Sequence, residues 1–236
     1  MKTMLRIGLL AGAVIFAVVY GGVGYANEVQ VQVQAPKYQF NKKTIIRGGI
    51  FFAQHCLTCH SMKYIRYNRL AADLGLDKKF IKRNFMTPAG AKYLRGMITA
   101  MPPKLAAKWF GVTPPDLTLV ARYRGVDWIY TYLRSFYWDP GKSTGWNNHL
   151  FPGVAMPNVL FSYTGTIDGK GHVLKKATYS PQEYDRITTD LTAWMRYTSD
   201  PSIIVRKKIA PYVIGFLLIF TLFAYLMKRA YWRDVH

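Results

Sequence analysis

The sequence contains 236 residues, 50% of them hydrophobic, and its 32 lysines and arginines outnumber its 12 aspartates and glutamates, which gives a formal net charge of +20. This length accommodates one ordinary domain together with membrane segments. A disulfide-stapled scaffold is excluded, because the only two cysteines, Cys56 and Cys59, could form at most one bond with each other.

The N-terminal region contains an apolar run, Ile7 to Ala26, that follows two basic residues. Small residues at positions 24 and 26 suit a signal peptidase, so residues 1–26 are predicted to be an export signal. The run is longer than the roughly 7 to 15 residues of an ordinary signal core, and this length also allows an uncleaved anchor helix. Export predicts that residues 27–205 form a periplasmic domain at a bacterial inner membrane.

The exported region is predicted to be mainly α, with long irregular connections. Apolar spacing and capping residues predict four helices, at 45–56 with Thr44 as the cap, 116–124, 127–137 and 181–198. Residues 138–180 are rich in glycine and proline and show no sustained period, so loops are expected there, with a small hairpin near 166–174.

The C-terminal region contains a second apolar run, the 19 charge-free residues from Ile209 to Met227. At about 1.5 Å per residue, a helix of this length nearly spans a hydrocarbon core of roughly 30 Å. Basic residues are nearly balanced on its two sides, so orientation follows from the export signal rather than from charge. Residues 206–236 are therefore predicted to form a transmembrane anchor with a short cytoplasmic tail.

The segment "FFAQHCLTCHSMKY", residues 51–64, places two thiols and an imidazole within five positions. Cys-x-x-Cys-His is the spacing at which two cysteines on one helical turn attach a haem covalently while the adjacent histidine ligates the iron. The motif predicts one haem c bound through Cys56, Cys59 and His60.

Two other interpretations of this motif are less favourable. A structural zinc site needs two more ligands, and the chain has no second cysteine pair and only scattered histidines. A thioredoxin-like dithiol is expected next to a strand-helix-strand unit, which the pattern here does not indicate.

The sixth iron ligand is not fixed by the residues alone. Met62 lies too close to His60 in sequence to reach the opposite haem face, and Met195 fits the apolar stripe of a predicted helix. Met101 in "TAMPPK" and Met156 in "FPGVAMPNVL" both lie in proline-bounded loops that could hold a thioether rigidly, so both stay candidates.

Several segments together resemble one family. "CLTCHSMKY", "PPDLTLVARYRG" at 114–125, "FPGVAMP" at 151–157 and a C-terminal membrane helix followed by basic residues are similar to cytochrome c1, the haem subunit of the cytochrome bc1 complex. The resemblance implies a cytochrome-c-like haem domain. It also implies that Met156 is the axial ligand, that Arg124 contacts a haem propionate and that Pro115 packs close to the haem.

The resemblance further implies a function and a set of partners. A haem with His and Met ligands carries electrons and leaves no open site for a substrate, so no substrate chemistry of its own is expected. The implied partners are cytochrome b, a Rieske iron-sulfur protein that donates the electron, a soluble periplasmic acceptor such as a cytochrome c, and membrane lipid, in a dimeric complex. Nucleic-acid binding is not expected for an exported haem domain.

Two rival functions stay open. One is a free-standing membrane-anchored cytochrome c that feeds a terminal oxidase, and the other is a haem-based sensor or peroxidase in which Met156 would be displaceable.

One feature departs from the family: residues 37–108 contain 15 basic residues but only Asp73 and Asp77, whereas cytochrome c1 usually presents acidic patches to a basic cytochrome c. A lipid-facing surface, an acidic or neutral acceptor and a strongly acidic periplasm would each explain this excess.

Overall fold

The computed structural model describes residues 33–34, 36 and 40–233. The helices are α1 (Lys42–His55), α2 (Tyr67–Leu74), α3 (Lys78–Asn84), α4 (Pro103–Phe110), α5 (Val120–Tyr123), α6 (Val126–Arg134), α7 (Phe161–Thr164), α8 (Pro181–Ser199) and α9 (Ile203–Tyr231). The strands are β1 (Met62–Arg66), β2 (Gly96–Met97), β3 (Phe136–Trp138), β4 (Trp146–Asn148), β5 (Thr166–Ile167) and β6 (Val173–Lys175).

The strands pair only as three antiparallel two-stranded sheets, β1 with β2, β3 with β4 and β5 with β6. A two-stranded sheet is too small to bury a core by itself. The main core therefore lies between helices, and its largest fully buried side chains are Phe52, Tyr67, Phe85, Trp194 and Tyr197.

Helices α1 and α8 cross at two consecutive glycines. A Cβ on Gly48 would lie 1.9 Å from the carbonyl oxygen of Asp190, and a Cβ on Gly49 would lie 2.7 Å from ring atoms of Trp194. Beside this contact, Arg47 donates two hydrogen bonds of 2.7 Å to the buried carboxylate of Asp190. This close packing fixes the direction of α1, whose C-terminal end leads directly into the Cys-x-x-Cys-His motif.

The prediction of a mainly α domain with long loops and a C-terminal apolar helix is confirmed. Helix α8 and the β5–β6 hairpin lie where the sequence predicts them. The predicted N-terminal apolar helix lies outside the described residues.

Three boundaries were predicted wrongly. Asn41, not Thr44, caps α1: its side chain accepts a hydrogen bond from the backbone of Thr44, whose hydroxyl accepts one from the Asn41 backbone. The helix predicted at 116–124 is only the single turn α5, and the one predicted at 127–137 ends at Arg134 because β3 then pairs with β4.

Helix α9 is, among the described residues, the one helix long and apolar enough to cross a membrane. Its 29 residues correspond to a length of about 44 Å, which exceeds a hydrocarbon core of roughly 30 Å. With the apolar middle of the helix across such a core, its basic ends, Arg206 to Lys208 and Lys228 to Arg229, would reach the level of the headgroups. The length and composition of this helix fit a membrane anchor.

Candidate haem site

The turn that ends α1 brings the motif residues together. The backbone N–H groups of Cys59 and His60 both donate to the carbonyl of Cys56, at 3.1 and 2.8 Å. Both cysteines are free thiols, and both line the same cavity as His60. Helix α1 thus presents two thiols and an imidazole to one cavity from a single turn.

The cavity has a volume of about 310 Å³ and is enclosed almost entirely by apolar and aromatic side chains. The motif turn forms one wall, and residues from the loop that contains Met156 form another. Apolar surroundings with a few placed polar groups are typical of a cofactor site.

His60 is oriented by the chain segment that follows α4. Its Nδ1 lies 2.9 Å from the carbonyl oxygen of Pro115, which is a hydrogen bond when Nδ1 carries the proton. This tautomer leaves the Nε2 lone pair available to a metal, as is usual for metal-binding histidines. Burial lowers the pKa of His60, which keeps the imidazole neutral and able to act as a ligand. Pro115 therefore acts through its carbonyl as well as by lining the cavity.

A structural zinc site would need two more ligands beside the two thiols. Burial, together with the neighbouring Cys59, raises the pKa of Cys56 to about 12, and burial also raises the pKa of Cys59. In the part of the chain that the structure describes, no group of three or more His, Cys, Asp or Glu side chains could hold a metal ion.

The structure distinguishes between the methionines that are candidates for the sixth iron ligand. Met156 lines the cavity, and Met101 is not among the lining residues. Met195 also reaches the cavity, although α8 packs this residue into the main core, where it is 5% exposed. Met156 has a hydrogen bond to its sulfur, donated by the hydroxyl of Tyr132 at 3.4 Å, whereas the side-chain hydrogen bonds found for Met101 and Met195 in the described part of the chain go to their backbone groups.

Arg124 lies at the edge of the cavity. Its guanidinium carbon lies 4.9 Å from the ring centre of Trp128 and 5.9 Å from that of Phe151, both of which also line the cavity. No carboxylate of the described residues forms an ion pair with it. The arrangement presents an unpaired cation where a carboxylate of a bound group could reach it.

An aromatic wall is the part of the site that the sequence did not predict. Trp128 and Tyr132 stack with ring centres 4.9 Å apart, and Phe136 meets Tyr132 edge-on at 5.1 Å. Their spacing of four residues along a predicted helix was the available signal, because residues at this spacing share a face. Nothing local indicated that this face borders the cavity.

These residues fit a covalently attached haem. Two thiols and an oriented imidazole face the cavity from one side, a thioether faces it from another segment, and a cation lies at its edge.

Comparison with known proteins agrees with this geometry. The profile of the Cytochrome C1 family matches residues 31–235. Cytochrome c1 of Allochromatium vinosum is 42% identical over 212 residues, covering 83% of this chain and 86% of that protein. The ammonia monooxygenase gamma subunit of Nitrosomonas europaea is 40% identical over 220 residues, covering 91% and 93%. Cytochrome b/c1 of Bradyrhizobium diazoefficiens is 25% identical over 245 residues, covering 85% of this chain and 34% of that protein.

The name of the Nitrosomonas protein differs from the other two, and the assignment rests on the family match and on the Allochromatium protein. The chain therefore belongs to the Cytochrome C1 family, whose members contain covalently bound haem c.

Proposed function

We propose that this chain transfers single electrons as the membrane-anchored haem subunit of a bc1 complex, with His60 and Met156 as the axial ligands of its haem. The observation that supports this assignment best is the single, largely apolar cavity that is lined both by the Cys56–Cys59–His60 turn and by Met156. When bound, the haem supplies one-electron chemistry between ferrous and ferric iron, and His/Met ligation raises its reduction potential.

The protein residues have distinct roles in this proposal. Cys56 and Cys59 would form the thioether bonds, and the carbonyl of Pro115 holds the ring of His60 so that Nε2 is left free to bind the iron. Arg124 would pair with a haem propionate. The apolar cavity walls would exclude water, and with His60 and Met156 both bound to the iron no site would be left for a substrate.

The proposed partners follow from membership of the family and from one relative. The Bradyrhizobium protein is named cytochrome b/c1, which supports cytochrome b as a partner of this chain. We place the haem domain, residues 27–205, in the periplasm, where it accepts an electron from a Rieske iron-sulfur protein and passes it to a soluble acceptor.

Quinol-driven reduction of this haem tests the function directly. In isolated membranes, quinol is expected to reduce the haem, and an inhibitor of quinol oxidation at cytochrome b is expected to stop the reduction. Direct chemical reduction by dithionite in the presence of the same inhibitor is the control, because the inhibitor should leave it unchanged. Quinol-driven reduction that continues in the inhibited membranes would show instead a free-standing anchored cytochrome.

A further inference from the structure

Most carboxylates of the described residues form hydrogen bonds or ion pairs with other groups of the chain. Ten acidic side chains lie in the described part of the chain, and nine of them accept hydrogen bonds or ion pairs from the chain itself. The nine are Asp73, Asp77, Asp116, Asp139, Asp168, Glu183, Asp185, Asp190 and Asp200. The tenth, Asp127, is exposed in the first turn of α6. Five of the nine pair with an arginine, which offsets their negative charge.

Basic side chains, in contrast, are exposed on segments that border the haem cavity. Lys104 and Lys108 lie one turn apart on α4, which ends at the cavity-lining Phe110. Lys63 lies three residues after His60. All three lysines are exposed, and among the described residues none of them forms an ion pair.

The segment that contains α4 is tied to the motif turn at one end. The hydroxyl of Thr99 donates to the carbonyl of Thr58, which lies between the two cysteines, at 2.5 Å. After the helix, the hydroxyl of Thr113 donates to the carbonyl of Pro103 at 3.2 Å and folds the following loop back onto α4. At its other end the segment lines the cavity with Phe110 and Val112, so the lysines of α4 lie on a segment that borders the site.

Exposed apolar side chains accompany the lysines of α4 along the same segment. Leu105, Trp109 and Val112 are 43%, 59% and 53% exposed. We call the surface formed by Lys63, Lys104, Leu105, Lys108, Trp109 and Val112 the mouth patch. An exposed tryptophan with apolar neighbours and surrounding charges is typical of a protein interface.

We propose that the mouth patch docks an acidic redox protein, a soluble one-electron acceptor whose own docking face is rich in carboxylates. This inference rests on the proposed function. One electron passes from the ferrous haem to the oxidised centre of the acceptor, so the iron becomes ferric, the acceptor is reduced by one electron, and no bond or proton changes. The lysines attract the acceptor over long range, and the apolar side chains give a short-lived contact.

The experiment measures oxidation of the dithionite-reduced, haem-loaded full chain in detergent by stopped flow. Two soluble c-type cytochromes of matched reduction potential serve as acceptors, one with negative and one with positive net charge. The negative acceptor is expected to react at least tenfold faster at low salt, and its rate is expected to fall as salt screens the charges. Equal rates for the two acceptors, or a rate with the negative acceptor that rises with salt, would overturn the proposal.

Charge reversal locates the docking site. In K104E/K108E, the rate of haem oxidation by the negative acceptor is expected to fall about tenfold at low salt. At high salt this difference from the wild type should vanish. The matched control is K175E/K176E, which makes the same charge change on exposed residues of β6 and the following loop, outside the cavity lining. If both variants slow the reaction equally, or if K104E/K108E weakens binding to anionic vesicles without slowing the acceptor, the mouth patch is not the docking site.

This test is independent of how the haem is reduced. The proposed function fails if quinol does not reduce the wild-type haem, whereas the docking proposal fails only on the rates of oxidation after chemical reduction. The midpoint potential of each variant, measured in parallel, shows that the rate changes do not come from a change in driving force.

A second inference rests on the contact between Tyr132 and Met156. Stacking on Trp128 and edge contact with Phe136 hold the Tyr132 ring, whose hydroxyl donates to the Met156 sulfur at 3.4 Å. Sulfur is a weak acceptor with more than one lone pair. One lone pair can bind iron while another keeps the hydrogen bond.

We infer that Tyr132 is a positioning residue that raises the reduction potential of the haem through Met156. The hydrogen bond draws electron density from the sulfur, so the thioether stabilises ferric iron less. Y132F is expected to shift the ferrous/ferric equilibrium roughly threefold to tenfold towards ferric, where tenfold corresponds to about 59 mV for one electron.

The control is Y130F, two residues away on the same helix. The hydroxyl of Tyr130 donates to Asp185 rather than to Met156, so Y130F removes a partly buried hydrogen bond without touching the sulfur. Its potential is expected to stay unchanged, while the ferric Met-to-iron absorption band moves only in Y132F. An unchanged reduction potential in Y132F, or equal shifts of the potential in the two variants, would show that Tyr132 only packs against its neighbours and does not act through Met156.

Discussion

Replacement of Met156 by leucine is expected to let the reduced protein bind carbon monoxide, which the wild type should refuse. Leucine is apolar and of similar volume, so the cavity wall keeps its packing while the iron loses the sixth ligand that we propose for it. Loss of a thioether also removes stabilisation of ferrous iron. The reduction potential is expected to fall by at least roughly 0.1 V, a modest part of the roughly 0.8 V range that axial ligands span. Reduced-minus-oxidised spectra with and without carbon monoxide, and a redox titration, measure both effects.

Two control variants separate ligation from general disturbance. Met101 lies outside the cavity lining, and Met195 reaches the cavity but is packed into the core by α8. M101L and M195L are therefore expected to refuse carbon monoxide and to keep a near-wild-type potential. Carbon monoxide binding by M195L but not by M156L would show that Met195 on α8, rather than Met156, is the sixth iron ligand. Carbon monoxide binding by the wild type would favour a sensor or a peroxidase.

Replacement of Gly48 by alanine is expected to give a large loss of stability for a change of one methyl group. The new Cβ would lie 1.9 Å from the backbone carbonyl of Asp190, and backbone cannot move aside as a flexible side chain can. Separation of α1 from α8 also disturbs the Arg47–Asp190 ion pair. Overpacking costs typically 1–3 kcal/mol, and we expect about 3 kcal/mol here. The thermal midpoint should fall by about 6–12 °C for a domain of this size.

Thermal unfolding of the haem-loaded full chain in detergent measures this loss. The control is Gly141→Ala, whose Cβ would meet only the flexible carboxylate of Asp139, at 3.2 Å. We expect it to cost less than about 1 kcal/mol. A midpoint for G48A close to that of the control would show that the two helices can separate at little cost.

The sequence by itself determined the parts of this protein that depend on local spacing. Cys56, Cys59 and His60 lie within one turn, so their pattern predicts covalent haem attachment whatever surrounds it. The charge-free run from Ile209 to Met227 predicts a membrane helix by its length alone, and α9 contains it. The periodic residues of α8 likewise predict that helix from their own spacing.

Only the tertiary structure decided which residues far apart in the sequence meet. His60 and its partner Pro115 are 55 positions apart, Arg47 and Asp190 are 143 apart, and Tyr132 and Met156 are 24 apart. Such contacts depend on how closely α1 packs on α8 and where the loops then run. A local sequence pattern contains no information about such contacts, so residue spacing left Met101 and Met156 as alternative iron ligands. In the structure, Met156 lines the cavity and Met101 does not.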